Sequence, residues 1–221
     1  CPIAPTPPEF TPMNISPSSA PRGLYLITPD VSETAQLLAQ VAPVLPHATW
    51  MQYRNKHADS TLRREQIQAL LPLCQATGVP LIVNDDWALA AELGADGAHL
   101  GKDDGVLNEA RRALGPGAIL GASCYDSVAL AQRAVDAGAS YVAFGAFFPS
   151  PTKPDARVAH KSLLRDAAAL GVPRVAIGGI TPENARQLVA AGADLVAVIS
   201  GVFAARHPAA AAAAYRAAFN L

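Results

Sequence analysis

Three stretches of the chain echo one another. LGADGAHLG, AGASYVAFG and AGADLVAVIS each set Gly-Ala at a helix exit, then a small or acidic residue, then a short apolar strand. A recurring helix-to-strand junction restricts the fold sharply, because strands joined through helices run parallel and are covered on both faces. From Leu24 onward the alternation extends along the chain, with short apolar runs at 24–28, 49–54, 81–84, 97–100, 118–122, 141–145, 174–177 and 195–199. Segments of helical period lie between them at 32–44, 61–77, 108–114, 127–137 and 182–191, and a further helical pattern follows Asp86. Thr181 is positioned to cap the helix that Pro182 opens, and Gly94, Gly138 and Gly192 suit left-handed helix ends. Two positions beyond those glycines, Asp96, Ser140 and Asp194 begin strands at the bottom face, where a structural role is expected. Eight strand–helix units in 221 residues predict a single α/β domain, a (β/α)8 TIM barrel over 23–221. A doubly wound open sheet is the competing architecture, but no GxGxxG follows the first strand.

Residues 1–22 stand outside this pattern. They are rich in Pro and Ser, lack apolar periodicity, and read as a disordered or loosely packed tail. Cys1 is the residue a lipid-modified terminus would expose, but an extension ahead of a start at Met13 is the simpler expectation. A net charge of −1 offers no basic surface for nucleic acid. No apolar run approaches the roughly 18 residues of a membrane span, so a soluble, cytoplasmic chain without membrane partners is expected. Cys1, Cys74 and Cys124 form no CxxC and no even-numbered framework, which predicts free thiols in a reducing compartment. Nothing in the sequence dictates an oligomeric state, and a homo-oligomer is allowed.

In a barrel the chemistry belongs where strands end. Strand two reads Trp50, Met51, Gln52, Tyr53, Arg54, Asn55, Lys56, and alternation puts Trp50, Gln52, Arg54 and Lys56 on one face. An amide, a guanidinium and an ammonium converging there suit a phosphate or diphosphate; the plain alternative is a pair of solvated charges at a strand terminus. Strand three ends in Asn84, Asp85 and Asp86, and Lys102, Asp103 and Asp104 follow strand four. Neighbouring strands run about 4.8 Å apart, so Asp85 and Asp104 can share one divalent ion, and hard oxygen donors with few carboxylates suit Mg2+. Asp86 reads as a helix cap and Asp103 as solvent-exposed.

Further on, Ser123 is positioned to donate to a phosphate oxygen or leaving group, while Cys124 reads as inert. His99 reads as a packed histidine with satisfied nitrogens, and no nucleophilic triad can be assembled. The loop after strand six carries Ser150, Thr152 and Lys153 among prolines, Pro151 included, a stiff polar finger of functional length. Gly178 and Gly179 after strand seven, with Ser200 and Gly201 after Ile199 of strand eight, suit the phosphate site common to barrel enzymes.

Taken together, LYLIT, QYRNK, LIVNDD, GADGAHLGKDD, LGAS, SPTK, VAIGGI and AVIS, in this order over roughly 23–205, resemble the thiamine-phosphate synthase family. The resemblance implies a transferase that condenses a hydroxymethylpyrimidine diphosphate with a thiazole phosphate, giving thiamine phosphate and diphosphate with Mg2+ present. It implies that Gln52, Arg54, Lys56, Asn84, Ser123 and Lys153 meet the pyrimidine diphosphate, and Tyr53 and Asn55 of the same stretch are counted with them. Asp85 and Asp104 become the implied metal ligands. Ser150, Thr152, Gly179, Ile199 and Ser200 become the thiazole-phosphate site, with Pro151 contributing backbone only.

Arg54, Lys56, Ser123 and Lys153 form the implied catalytic set, which agrees with a reaction that needs a stabilised leaving group and no protein nucleophile. Core packing is the expected role of Tyr25 and Trp50. Three positions depart from the family's habit: Lys102 where Gln is frequent, Asn55 where a carboxylate is frequent, and Tyr125 where His is frequent. These bear on affinity or rate more than on reaction type. A thiazole tautomerase-like paralogue or a noncatalytic sensor of a thiamine precursor would dispense with the leaving-group residues, which this chain keeps. A sugar-phosphate isomerase would need an acid/base pair that no strand end supplies.

Overall fold

The computed structural model describes residues 20–101, 106–149 and 158–221. Asp104, Lys102 and Asp103, the loop residues Ser150, Pro151, Thr152 and Lys153, and most of the expected tail lie outside the described residues. Strands β1 (Gly23–Ile27), β2 (Ala48–Tyr53), β3 (Leu81–Asn84), β4 (Gly97–Leu100), β5 (Ile119–Tyr125), β6 (Tyr141–Gly145), β7 (Arg174–Ile177) and β8 (Leu195–Val198) close a barrel in sequence order. Every neighbouring pair is parallel, and β1 seals the ring by pairing Leu24 with Val196 on one side and Ala48 on the other. The TIM barrel expected from the repeated junction is therefore the fold.

Outside the strands lie α1 (Thr34–Val41), α2 (Ser60–Thr77), α3 (Trp87–Leu93), α4 (Leu107–Leu114), α5 (Val128–Asp136), α6 (Ser162–Asp166), α7 (Pro182–Ala190), α8 (Ser200–Phe203) and α9 (Pro208–Ala217). Strand alternation divides the apolar residues into two layers. Leu24, Leu26, Met51, Val83, Leu120 and Phe144 point outward and pack against helix residues such as Leu37, Ile67, Leu89 and Leu188. Tyr25, Ile27, Trp50, Ile82, Tyr141 and Val175 point inward and fill the barrel itself. The barrel is thus a packed core and not a pore.

The three echoes turn out to be one device used three times. Ala95, Ala139 and Ala193 each donate backward to the carbonyl five residues earlier, on Ala90, Ala134 and Leu188, at 3.0, 2.9 and 2.9 Å. Each preceding glycine, Gly94, Gly138 or Gly192, has positive φ (70°, 101° and 106°), which completes a Schellman ending that side chains with a Cβ resist. The next polar residue then latches the neighbouring strand. Asp96 accepts from Leu81 N at 2.8 Å, Ser140 from Leu120 N at 2.8 Å, and Asp194 from Arg174 N at 2.9 Å. These are structural roles at the bottom face, as the sequence reading held.

Capping accounts for the helix starts. Asp59 accepts from Leu62 N, Asp86 from Leu89 N, and Ser127 from Leu130 N. Thr181 and Asn184 form a reciprocal capping box with Pro182 at the first helical position. Four strand ends near the site differ from expectation, with β1 stopping at Ile27 and β8 at Val198, each one residue short. β2 stops at Tyr53 and not at residue 54, while β5 runs past residue 122 to Tyr125 through an irregular register between Ser123 and Tyr125. α6, α8 and α9 were not foreseen: the first two are short, and α9 is an alanine run whose only large apolar residue, Tyr215, leaves no readable period.

Candidate active site at the barrel mouth

A cavity of about 220 Å3 opens at the strand ends, lined by Tyr53, Arg54, Asn55, Lys56, Arg63, Asn84 and Asp85. Four consecutive residues line it because the chain leaves extended geometry after Tyr53. Strand alternation therefore ends at Tyr53 and does not set the directions of Arg54 and Lys56. Trp50 joins the inner core, and Gln52, 3% exposed, donates from Nε2 to Tyr25 Oη at 2.8 Å inside the barrel.

The loop after β1 holds the basic segment in place. Thr28, fully buried, donates from Oγ1 to Arg54 O and accepts from Arg54 N, both at 2.8 Å. Asp30 accepts from Lys56 N at 2.8 Å, and its carboxylate stands 3.7 Å from the Arg54 guanidinium. Asn55 donates to Val31 O at 2.8 Å and to Gln66 Oε1 at 3.1 Å, while its own oxygen accepts from His57 N and Ala58 N. Tyr53 donates to the same Gln66 oxygen at 2.8 Å, and burial pushes its phenol up to about 12. The Tyr53 and Asn55 side chains are thus committed to shaping the loop that presents Arg54 and Lys56.

Across the cavity, Asn84 donates to Asp85 Oδ2 at 2.6 Å. Asp85 has φ of 64°, in the left-handed region that Asp and Asn tolerate better than most residues, and its N–H reaches His99 O at 2.8 Å. That turn sets the carboxylate at the end of β3 instead of continuing the strand. Asp86 serves as the cap of α3 and lies 3.6 Å from Arg63, a lining residue that the sequence reading missed. Thr28 and Asp30 were missed as well, although Thr-Pro-Asp at a strand end is a recognisable turn signal.

On the far side, Ser123 Oγ lies 2.9 Å from His99 Nε2, and His99 Nδ1 lies 2.8 Å from Tyr141 Oη. Both His99 ring nitrogens are bonded within the protein, as expected. Ser123 also lines a second cavity of about 150 Å3 with Gly101, Leu107, Ala122, Leu130, Arg133 and Ala134. Cys124 is buried, and burial pushes its thiol up to about 12, so it has no nucleophilic character at neutral pH.

At the end of β7 the glycines let a neighbouring loop approach closely. A Cβ on Gly179 would meet Pro149 O at 2.5 Å and Phe148 O at 2.6 Å, and one on Gly178 would strike Ala146. The loop after β6 packs onto the loop after β7 only because both positions are glycine. Ile199 precedes α8 and Ser200 opens it, while Tyr215 Oη on α9 donates to Ile180 O at 2.7 Å and ties the loop after β7 to the outer layer. Among the described residues no group of three or more His, Cys, Asp or Glu gathers about a point that could hold a metal ion. No helix of the described residues is long and apolar enough to cross a membrane.

Fold and site define a class first: a (β/α)8 barrel that gathers cations, an amide and a carboxylate on the loops at its strand ends, the arrangement of barrel enzymes. Residues 24–202 match the family model described as thiamine monophosphate synthase. The chain belongs to that family. It is 62% identical over 199 residues to the thiamine-phosphate synthase of Xanthomonas campestris pv. campestris (strain 8004), covering 90% of this chain and 96% of the relative. The corresponding protein of Xylella fastidiosa (strain Temecula1) is 55% identical over 201 residues, 91% of this chain and 86% of its own. Among solved structures, thiamine phosphate pyrophosphorylase from Pyrococcus furiosus superposes with a TM-score of 0.79 at 33% identity, covering 90% of this chain and 95% of that one. A 3-hexulose-6-phosphate synthase, with a TM-score of 0.67 and 17% identity over 88% of this chain and 99% of that one, shares the fold alone.

Proposed function

We propose that the protein joins a hydroxymethylpyrimidine diphosphate to a thiazole phosphate, forming thiamine phosphate and releasing diphosphate. The observation that carries this reading is the convergence of Arg54, Lys56, Asn84 and Asp85 on one cavity. Breaking the bond between the pyrimidine methylene and the diphosphate oxygen leaves the electron pair on the leaving group and positive charge on the carbon. Cations fixed around the diphosphate stabilise that separation, and the thiazole nitrogen then supplies the pair for the new C–N bond. Arg54 and Lys56 fill this role from the loop after β2, Lys153 from the loop after β6, and Asn84 and Ser123 contribute neutral hydrogen bonds. Gln52 meets the pyrimidine from the barrel interior. Ser150, Thr152, Gly179, Ile199 and Ser200, with the Pro151 backbone, take the thiazole phosphate.

The donors suit Mg2+: Asp85 is a hard-oxygen ligand turned into the basic cavity, and Mg2+ needs only one or two such carboxylates. Asp85 and Asp104 would hold the ion, which when bound neutralises charge on the departing diphosphate. A tautomerase-like protein or a precursor sensor would have no use for this leaving-group set. The free, buried Cys74 and Cys124 accord with a reducing, cytoplasmic setting.

The test is direct. Purified protein given both phosphorylated precursors and Mg2+ should yield thiamine phosphate, and a chelator should stop the reaction. Absence of product with fresh substrates would overturn the proposal. More narrowly, Lys153→Ala should lower kcat much more than it raises KM for the thiazole phosphate; the reverse would reassign that loop to substrate binding.

A further inference from the structure

The inside of the barrel carries a chain of polar contacts that apolar filling does not require. Gln52 Nε2 donates to Tyr25 Oη at 2.8 Å, and Tyr25 Oη lies 2.7 Å from Tyr141 Oη. Tyr141 Oη lies 2.8 Å from His99 Nδ1, and His99 Nε2 lies 2.9 Å from Ser123 Oγ. The chain crosses from β2 through β1, β6 and β4 to β5. We propose that it holds His99 as the Nε2–H tautomer and thereby leaves Ser123 with its hydroxyl proton free to donate to the diphosphate, so that Tyr25, Tyr141 and His99 are positioning residues for Ser123. The inference rests on the function proposed above, because it takes Ser123 as a donor to substrate.

Direction follows from counting protons. Tyr25 accepts from the Gln52 amide, so its single proton goes to Tyr141. Tyr141 then has its own proton left for His99 Nδ1, which must accept it without carrying a proton. A neutral ring that accepts at Nδ1 carries its proton on Nε2 and donates it to Ser123 Oγ. With that oxygen already accepting, the serine proton is directed elsewhere. The opposite tautomer would take the serine proton and turn lone pairs toward an anionic ligand, which repels it. One ring proton therefore decides whether Ser123 attracts or opposes the leaving group.

Two further features support a built arrangement. Burial raises both Tyr25 and Tyr141 above the ordinary phenol range, so both phenolic protons stay in the chain at working pH. Gly121, inward-facing on β5, makes room: a Cβ there would collide with the Tyr141 ring and hydroxyl. The rings also brace one another, with His99 stacked on Tyr141 at 5.5 Å and 25°, and Trp50 against Tyr141 at 4.9 Å.

Long-range 15N correlation spectra of the full chain labelled at histidine, with His99 assigned by comparison with His99→Gln, read the tautomer without substrate. The expected result is a single Nε2–H tautomer in the wild type, a mixture in Tyr25→Phe, where nothing upstream fixes the direction of the Tyr141 proton, and loss of that single tautomer in Tyr141→Phe. Tyr141→Phe should also lower kcat on the order of tenfold, the factor one lost hydrogen bond commands, with KM for the pyrimidine diphosphate little changed. His99 found as Nδ1–H or doubly protonated in the wild type, or an unchanged kcat in a folded Tyr141→Phe, would overturn the proposal. Should Tyr141→Phe not fold, the wild-type and Tyr25→Phe spectra still decide it. A wild type that makes no thiamine phosphate but shows Nε2–H would instead sink the proposed function and leave the tautomer result standing.

Discussion

Arg54 and Lys56 owe their positions to residues on another strand. Thr28 grips the Arg54 peptide from both sides, and Asp30 holds the N–H of Lys56. Thr28→Val keeps the shape and removes both bonds, so it should cost about 1–3 kcal/mol of stability by leaving buried polar groups unpaired. It should also lower kcat, because Arg54 loses its fixed backbone; denaturant titration and steady-state kinetics check the two halves. Asp85 allows charge to be separated from backbone strain. Asp85→Asn tolerates the same φ of 64°, so its thermal midpoint should match wild type while activity falls on the order of a hundredfold. A matching drop in stability would mean that the carboxylate is structural. At this scale QYRNK was legible as a basic cluster, but the direction of each side chain was not, because strand alternation ends one residue before Arg54. Arg63 was hidden for a different reason: it comes from α2, and only folding brings it to the cavity.

Helix-to-strand junctions carry much of the order of the barrel. Each couples a Schellman ending to a side-chain latch, and the sequence showed both parts because their spacing is short and repeated. Asp194 does more than its two counterparts, since it also accepts from Arg174 Nε at 3.0 Å, with the pair about one-fifth exposed. Asp194→Ala should therefore destabilise the fold by about 2–3 kcal/mol while leaving KM for both substrates unchanged, since the latch lies at the far end of the strands. A change in KM without loss of stability would contradict that assignment. Elements whose meaning depends on distant partners were not readable. The extension of β5 beyond Ser123 to Tyr125 passes through a bulge against β6, and α9 is tied to the loop after β7 by Tyr215 reaching Ile180. Gly178 and Gly179 were recognised as a close-approach motif, and the loop after β6 is one group that approaches them.

As a whole the molecule is a ring of eight similar units, and the fold was legible because repetition multiplies a weak local signal. The interior was less so, since Tyr25, Gln52, His99, Ser123 and Tyr141 lie far apart in sequence and meet only when the ring closes. Burial also sets a global pH response. Cys74 and Cys124 are pushed from 9.0 up to about 12, and Tyr53 and Tyr215 from 10.0 up to about 12. Below their ordinary values these groups stay protonated in both states, and their contribution to stability is fully present. Above those values the unfolded chain loses protons that the folded chain keeps, so stability should fall from about pH 9 toward pH 12. A series of denaturant midpoints across that window checks this, and a flat series would contradict the burial of the thiols. The central claim is that the basic cavity serves a diphosphate that leaves as the pyrimidine is transferred. The most direct measurement follows thiamine phosphate and diphosphate together in a single turnover of the wild-type protein. The account predicts that both appear at one rate and in equal amounts; diphosphate released without thiamine phosphate, or neither product, would contradict it.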